Sequence, residues 1–590
     1  MYRVFEQIII KGFEDMIIGR ITKVDGVKIV GTFFEKLPPY ISIDRQLVPA
    51  PQINSYVKTN VGLDTIVCQI VGEHEFDYDK SHDPLEISDD FMVDLEVRGR
   101  FSGGKFRNGL RCLPIVGAQI EMFNPTDYEA LFGMNDGIFV GHNLFNDCYK
   151  IFLDPDKLIP SHIGIFGNTG SGKSNTLARI IKEYLGIIPE GCSSARVVLF
   201  DLNNEYGGNS IVSADCKKVF TLSTRKYDGF SERMPLNLND LNDDAWGTLL
   251  RATQKTQMPV IRRAYRHWKN KDIDFLNELK NIMLNRRSTI FFTIREYLPL
   301  SFTGIDDFSA ISNGSFFYRK GGSPFFLDKI ESFSDDNCPS ITFNEPDNEL
   351  DGFLLNLIFE ISKSSDSGTN FDYIQPLIPR AVHLIGDLRK MFDIRKEGSI
   401  DDIFNGSNLT IIQLAKVNTG TQEIIPSLIS QLLFEKASSD RKGEVKAITS
   451  IVIDEAHNIL GYDPDKSDLI HDNTLRVFEK IIKEGRKFGV YLYIASQRPS
   501  DISDTITSQI HNYFIHKLVN PRDLEKIRKT VSFLGDSNFS MITALGQGEC
   551  IISGPSLLMP QFVNVDELDD ESKPQSNDVK LLGPKGILRN

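Results

Sequence analysis

Apolar and polar positions fall into three patterns along the chain. Short alternating runs dominate residues 1–150, the mark of half-buried strands. "IIGRITKVDGVKIVGTFF" sets Asp25-Gly26 between two such runs, and that pair favours a two-residue hairpin turn. "GLDTIVCQIVG" and "DFMVDLEVRGRF" extend the series, and Asn108-Gly109 in "FRNGLRCLPIVG" signals a second hairpin turn. Strands this short and closely spaced predict a small barrel or sandwich.

At Ile163 the period changes. "HIGIF" is a short buried strand, and Leu177, Ile180, Ile181, Tyr184 and Leu185 then recur at helical spacing. "ARVVLFD" is wholly apolar until its last residue, as strands covered on both faces are. The alternation resumes with "NLTIIQL", a helix through "IIPSLISQLLFEKA", the strand of "AITSIVIDEA", another helix, and "VYLYIAS". This order predicts an α/β core split into 151–239 and 401–565. Between the halves, 240–400 reads as an insertion, helical at first and then aromatic and loop-rich with no assignable period. Residues 566–590 are acidic and then polar, which predicts a tail.

At 590 residues the chain needs more than one ordinary core. No apolar run reaches the roughly 18 residues a membrane span needs, and "MYRVFEQIIIKGFED" lacks the order of a secretory signal. The seven cysteines are scattered and never spaced as CxxC, which fits a reducing cytoplasm. A net charge of −14, taken alone, argues against a surface coated in nucleic acid. It leaves room for a local basic lining that meets DNA phosphates.

Chemistry enters at "GIFGNTGSGKSNT". Gly167, Asn168, Thr169, Gly170, Ser171, Gly172, Lys173 and Ser174 match the P-loop pattern in full, and Asn175 follows directly. Its glycines let backbone N–H groups curl around a phosphate, and the helix behind adds its positive end. Lys173 is expected to reach the β- and γ-phosphates and Ser174 to ligate Mg²⁺. The apolar strand of "AITSIVIDEAHNIL" ends in Asp454 and Glu455, placing one carboxylate for Mg²⁺ and one for the attacking water. Asp454-Glu-Ala-His457 also spells a box of a large helicase superfamily, but that superfamily's other motifs are missing.

Three further residues have open readings. Gln497, at the end of "VYLYIASQ", is expected beside the acidic pair as a γ-phosphate sensor. Arg486 is either an ordinary arginine at a helix C-terminus or a finger reaching a neighbouring subunit's nucleotide. Asp201 in "FDLNNEYGG" either orients water or metal or forms a turn. No complete N-K-x-D segment is present, so ATP is expected over a guanine nucleotide. "IRRAYRHWKNK" interleaves basic and aromatic residues and reads better as a solvated helix face than as a nucleic-acid patch.

Taken together, "INSYVKTNVGLDTIVCQIVG", "LDPDKLIPSHIGIFGNTGSGKSNT", "VVLFDLNNEYGG", "SIVIDEAHNIL", "EGRKFGVYLYIASQRPSD", "IHNYFIHKLVNPRDLEKI" and "LGQGECIISG" resemble the HerA family of the HerA–FtsK ATPases. The resemblance covers most of the chain. It implies a RecA-like core with an N-terminal barrel, a homohexamer with ATP and Mg²⁺ at subunit interfaces, and double-stranded DNA in a central channel. In those terms Gln497 looks like the sensor, Arg486 like the trans-acting arginine, and Asp201 like the acid of a D-P-H-G-E-Y segment. Here that segment reads Asp-Leu-Asn-Asn-Glu-Tyr, with Asp201 and Glu205 retained. The barrel would dock a partner, either a nuclease or a sirtuin-like NAD-hydrolysing effector, in DNA-end processing or antiphage defence. An ATPase platform that gates such an effector without moving DNA is the alternative. A membrane-anchored coupling ATPase is disfavoured by the absence of a spanning segment.

Overall fold

The computed structural model describes residues 8–575 except 12–16, 76–90, 189–193, 226–231, 365–370, 441–446, 462–468 and a few shorter stretches. The expected tail is described to 575, and 576–590 lie outside the described residues, as does the start of the chain.

The N-terminal strands close into a barrel of six strands: Lys28–Phe33, Ile17–Asp25, Gln119–Met122, Tyr56–Val61, Asp64–Glu75 and Phe91–Ser102, the last pairing back onto the first. Alternation drives the closure. Ile18, Ile21, Ile29, Ile66, Cys68, Ile70, Val93 and Leu95 are all buried in one core. Asp25 pairs with Lys28 across a turn that holds Gly26 at φ 62°, as its sequence anticipates. The second hairpin differs from expectation. It turns at Gly103-Gly104 (φ 61° and 73°), joining Ser102 to Lys105, and Asn108-Gly109 comes only where the returning strand ends. Two adjacent glycines meet the positive-φ demand of the turn at both central positions, so they win over Asn-Gly.

The second body is one sheet of eleven strands. Its centre is parallel and runs Asn512–His516, Ile163–Phe166, Val490–Ser496, Ile448–Ile453, Ala195–Asp201, Leu409–Lys416, Lys218–Ser223. Antiparallel strands Glu549–Ser553, Gln561–Val565, Ile138–Asn143 and Asn146–Leu153 extend one side. The central strands are buried almost throughout because helices cover both faces. Strand Val490–Ser496 lies beside Ile448–Ile453, as the sequence anticipates.

The span between the halves carries helices Asp243–Leu249, Met258–Asn270, Phe275–Leu284, Ser288–Tyr297, Glu349–Ser364 and Leu377–Met391. Its aromatic middle begins in helix Ser288–Tyr297 and continues through short helical turns and strands of two to five residues, such as Phe302–Thr303 and Phe316–Lys320. It shares one apolar core with the sheet, and Trp246 stacks on Phe353 at 3.7 Å within it. In the helix of "IRRAYRHWKNK", Ile261, Ala264 and Trp268 face the core, Arg262 pairs with Asp243, and Arg263 with buried Glu360. Among the described residues no helix is long and apolar enough to cross a membrane.

Candidate active site

Every parallel strand ends on the same edge of the sheet, which brings together residues far apart in sequence. Strand Ile163–Phe166 runs into the loop Gly167–Gly172, and Lys173 opens a 15-residue helix. Gly170 (φ 74°) and Gly172 (φ 108°) take left-handed backbone that side chains resist. A Cβ on Gly172 would also lie 3.1 Å from the Gly548 backbone.

Neighbouring strand ends hold the loop from outside. Asn168 N–H donates to the Lys517 carbonyl (2.8 Å) and Gly548 N–H to the Ser171 carbonyl (3.0 Å). His516 lies beneath, fully buried. Its Nδ1 is 2.9 Å from the Glu549 carbonyl, which can only accept, so Nδ1 carries the proton and Nε2 accepts from the Thr176 hydroxyl at 3.0 Å. Burial, and then the charge of Lys173, push its pKa down to about 4, so the ring is neutral.

Lys173 is buried, its Nζ donating to the Asn168 carbonyl at 3.1 Å. Burial lowers its pKa, against the opposing charges of Glu455, Asp454 and Glu205. Asp454 ends its strand 4% exposed. Burial first, then the charges of Glu205 and Glu455, raise its pKa to about 7. Glu455 follows in left-handed backbone (φ 48°), a conformation a non-glycine residue adopts at a cost of roughly 1–2 kcal/mol. Its N–H donates to Asp454 Oδ1 at 2.9 Å. Burial raises its pKa, opposed chiefly by Lys173. Oε2 of Glu455 is buried without a hydrogen bond among the described residues, 3.4 Å from His457 Nδ1, and burial lowers the pKa of His457.

Strand Val490–Ser496 separates the P-loop strand from the Asp454 strand, so Gln497 emerges between them. Its Oε1 accepts from the Thr169 hydroxyl at 2.5 Å. Arg498, the next residue, acts electrostatically on both Glu455 and His457.

The remaining anticipated residues sit differently. Both oxygens of Asp201 accept from backbone N–H groups, of Glu205 and Tyr206, at 3.0 Å each. Its carboxylate, 1% exposed, therefore ties the turn behind its strand. Asn175 turns from the loop to the chain's last described segment, donating to the Asp566 carbonyl (3.2 Å) and accepting from Leu568 N–H (3.1 Å). Exposed Arg486 lies in the turn Gly485–Phe488, before strand Val490–Ser496 begins. Seven residues of strand, roughly 20 Å, separate it from the edge that carries Lys173 and Glu455. Sequence reasoning gave no role to Tyr206, His457, Arg498 or His516. Tyr206 stands in the quoted "FDLNNEYGG", but nothing in its spacing shows that its hydroxyl reaches Asp454 Oδ2 at 2.9 Å.

The oxygen donors present suit a hard cation. Ser174 offers a hydroxyl and Asp454 a carboxylate, and crowded, destabilised acids are what a divalent ion would relieve.

A P-loop on a central parallel strand, with an acidic pair one strand removed and a polar residue between, defines a RecA-like P-loop ATPase. The chain belongs to the HerA helicase family: residues 138–433 match its central domain and 430–565 its C-terminal domain. It is similar to a probable DNA double-strand break repair helicase HerA of Methanocaldococcus jannaschii, 22% identical over 81% of this chain and 86% of the relative. The DNA double-strand break repair helicase HerA of Sulfurisphaera tokodaii is 24% identical over 80% of this chain and 76% of its own. Among solved structures, VirB4 of Thermoanaerobacter pseudethanolicus aligns with a TM-score of 0.42 at 12% identity, over 75% of this chain and 99% of that one.

Proposed function

We propose that this chain is an ATP-driven motor of the cytoplasm that assembles as a homohexamer and translocates or unwinds double-stranded DNA. It works with an effector docked on its barrel, a nuclease or a sirtuin-like NAD-hydrolysing protein, in DNA-end processing or antiphage defence. Family membership supports the DNA motor, and the exposed Phe34, Tyr40, Ile115 and Val116 of the N-terminal region support docking there.

In this reading, backbone N–H groups of Gly167–Ser174 cradle the phosphates of ATP and Lys173 neutralises the β- and γ-oxygens. Ser174 and Asp454 hold Mg²⁺, which supplies charge neutralisation on those phosphates. Glu455 orients the attacking water and takes its proton. Gln497, bonded to Thr169 in the loop, relays the state of the γ-phosphate to its strand. Asp201 acts indirectly, by holding the turn that carries Glu205 and Tyr206.

The observation that carries the ring is the position of Arg486. It sits at the sheet edge opposite its own chain's nucleotide site, so an arginine that serves hydrolysis from there must serve a neighbour's. Native mass determination with ATP, followed by triplex displacement from linear duplex DNA, tests the reading. A hexamer that strips the triplex strand when ATP is hydrolysed is expected. A monomer that hydrolyses ATP at full rate would overturn it, and an active hexamer that leaves the triplex intact would favour an effector-gating platform.

A further inference from the structure

We infer that Tyr206 is the positioning residue of the metal side of the site, its phenol fixing the carboxylate of Asp454. The inference rests on the ATPase reading of that site. Tyr206 is fully buried, and its hydroxyl donates to Asp454 Oδ2 at 2.9 Å. The phenol thus holds one oxygen of the carboxylate while the Glu455 N–H holds the other, Oδ1, at 2.9 Å.

The support for the phenol is built into the backbone around it. Tyr206 N–H donates to Asp201 Oδ2 at 3.0 Å, and the Tyr206 carbonyl accepts from the buried ammonium of Lys217 at 3.1 Å. Lys217 also bonds the Ser210 carbonyl at 2.5 Å, so one cation closes the loop after Tyr206 while one carboxylate closes the turn before it. Gln413, from the adjacent strand, reaches Asp201 Oδ2 at 3.4 Å. Such a framework is far more than a turn needs, and it converges on the tyrosine. It also gives Asp201 a part at the site although neither of its oxygens faces it.

Tyr206→Phe removes the hydroxyl and keeps the buried ring. The probe is Mg²⁺ titrated against a fluorescent ATP analogue on the full chain, with Mn²⁺ counted by electron paramagnetic resonance as a readout independent of turnover. In Y206F the metal concentration for half-saturation rises about tenfold, the loss expected for one hydrogen bond to a charged group. Nucleotide affinity in the presence of EDTA stays within about twofold, because the phenol touches the metal side and not the phosphate loop. In an Asp454→Asn background the same substitution adds little, since its effect passes through that carboxylate. Y206F with wild-type metal dependence, or with equal losses with and without metal, would overturn the assignment. A wild-type chain that binds neither nucleotide nor Mn²⁺ would instead overturn the ATPase reading itself.

Discussion

Glu455→Gln isolates one chemical step. Glutamine matches glutamate in size and shares its backbone cost at φ 48°, so the substitution adds no strain that the native chain lacks. It removes a proton acceptor whose Oε2 has no hydrogen bond among the described residues. Loss of a positioned base lowers turnover by about 10²–10⁴, or about 3–5 kcal/mol of barrier. It also removes one of the charges that raise the pKa of Asp454, so Asp454 should ionise more readily and metal binding should strengthen. ATP affinity is therefore equal or tighter while hydrolysis nearly stops. Single-turnover hydrolysis and equilibrium binding on one preparation check both halves. An E455Q chain that hydrolyses ATP within a few-fold of wild type would refute the assignment of Glu455.

Lys173→Ala should weaken nucleotide binding roughly 100-fold, the loss of a charge-assisted phosphate contact worth about 3 kcal/mol, measured by titration. Arg486→Ala should leave nucleotide binding intact and lower hydrolysis in the assembled ring by about 10³, the scale of a trans-acting arginine; full activity would return it to an ordinary surface residue. His162 tests pH dependence. It is 1% exposed and accepts from Leu492 N–H at 3.0 Å, and burial followed by the charge of His511 lowers its pKa to about 4. Its folded form refuses a proton that the unfolded chain takes, so stability is lost as pH falls from about 6.5 toward 4. About 2 kcal/mol is gone by pH 5, and His162→Asn, which keeps an acceptor but does not titrate, should lose that much less between pH 7 and 5 in thermal melts.

The parts of this molecule that were legible in sequence are those written in contiguous residues. The P-loop, its buried strand and its helix are one stretch of chain, and Asp454 and Glu455 end an apolar run whose period could be read directly. The barrel was legible from its short strands as a barrel or sandwich, and the strand pattern alone does not choose between them because closure depends on Lys28–Phe33 meeting Phe91–Ser102 across a long separation. Asn108-Gly109 misled because Gly103-Gly104 satisfies the same turn more fully. The aromatic stretch resisted assignment because strands as short as Phe302–Thr303 have no period to detect. At the site, Asn175 lies in the motif yet bonds the segment at Asp566–Leu568, and Tyr206 meets Asp454 only because two strand ends converge. Neither pairing leaves a trace in spacing.

The most direct test is the steady-state ATPase rate of the purified protein with and without linear double-stranded DNA, with Glu455→Gln as the blank. A motor that moves DNA hydrolyses ATP faster when the duplex is present, and the blank stays silent in both conditions. An ATPase rate that is the same with and without DNA would contradict the account.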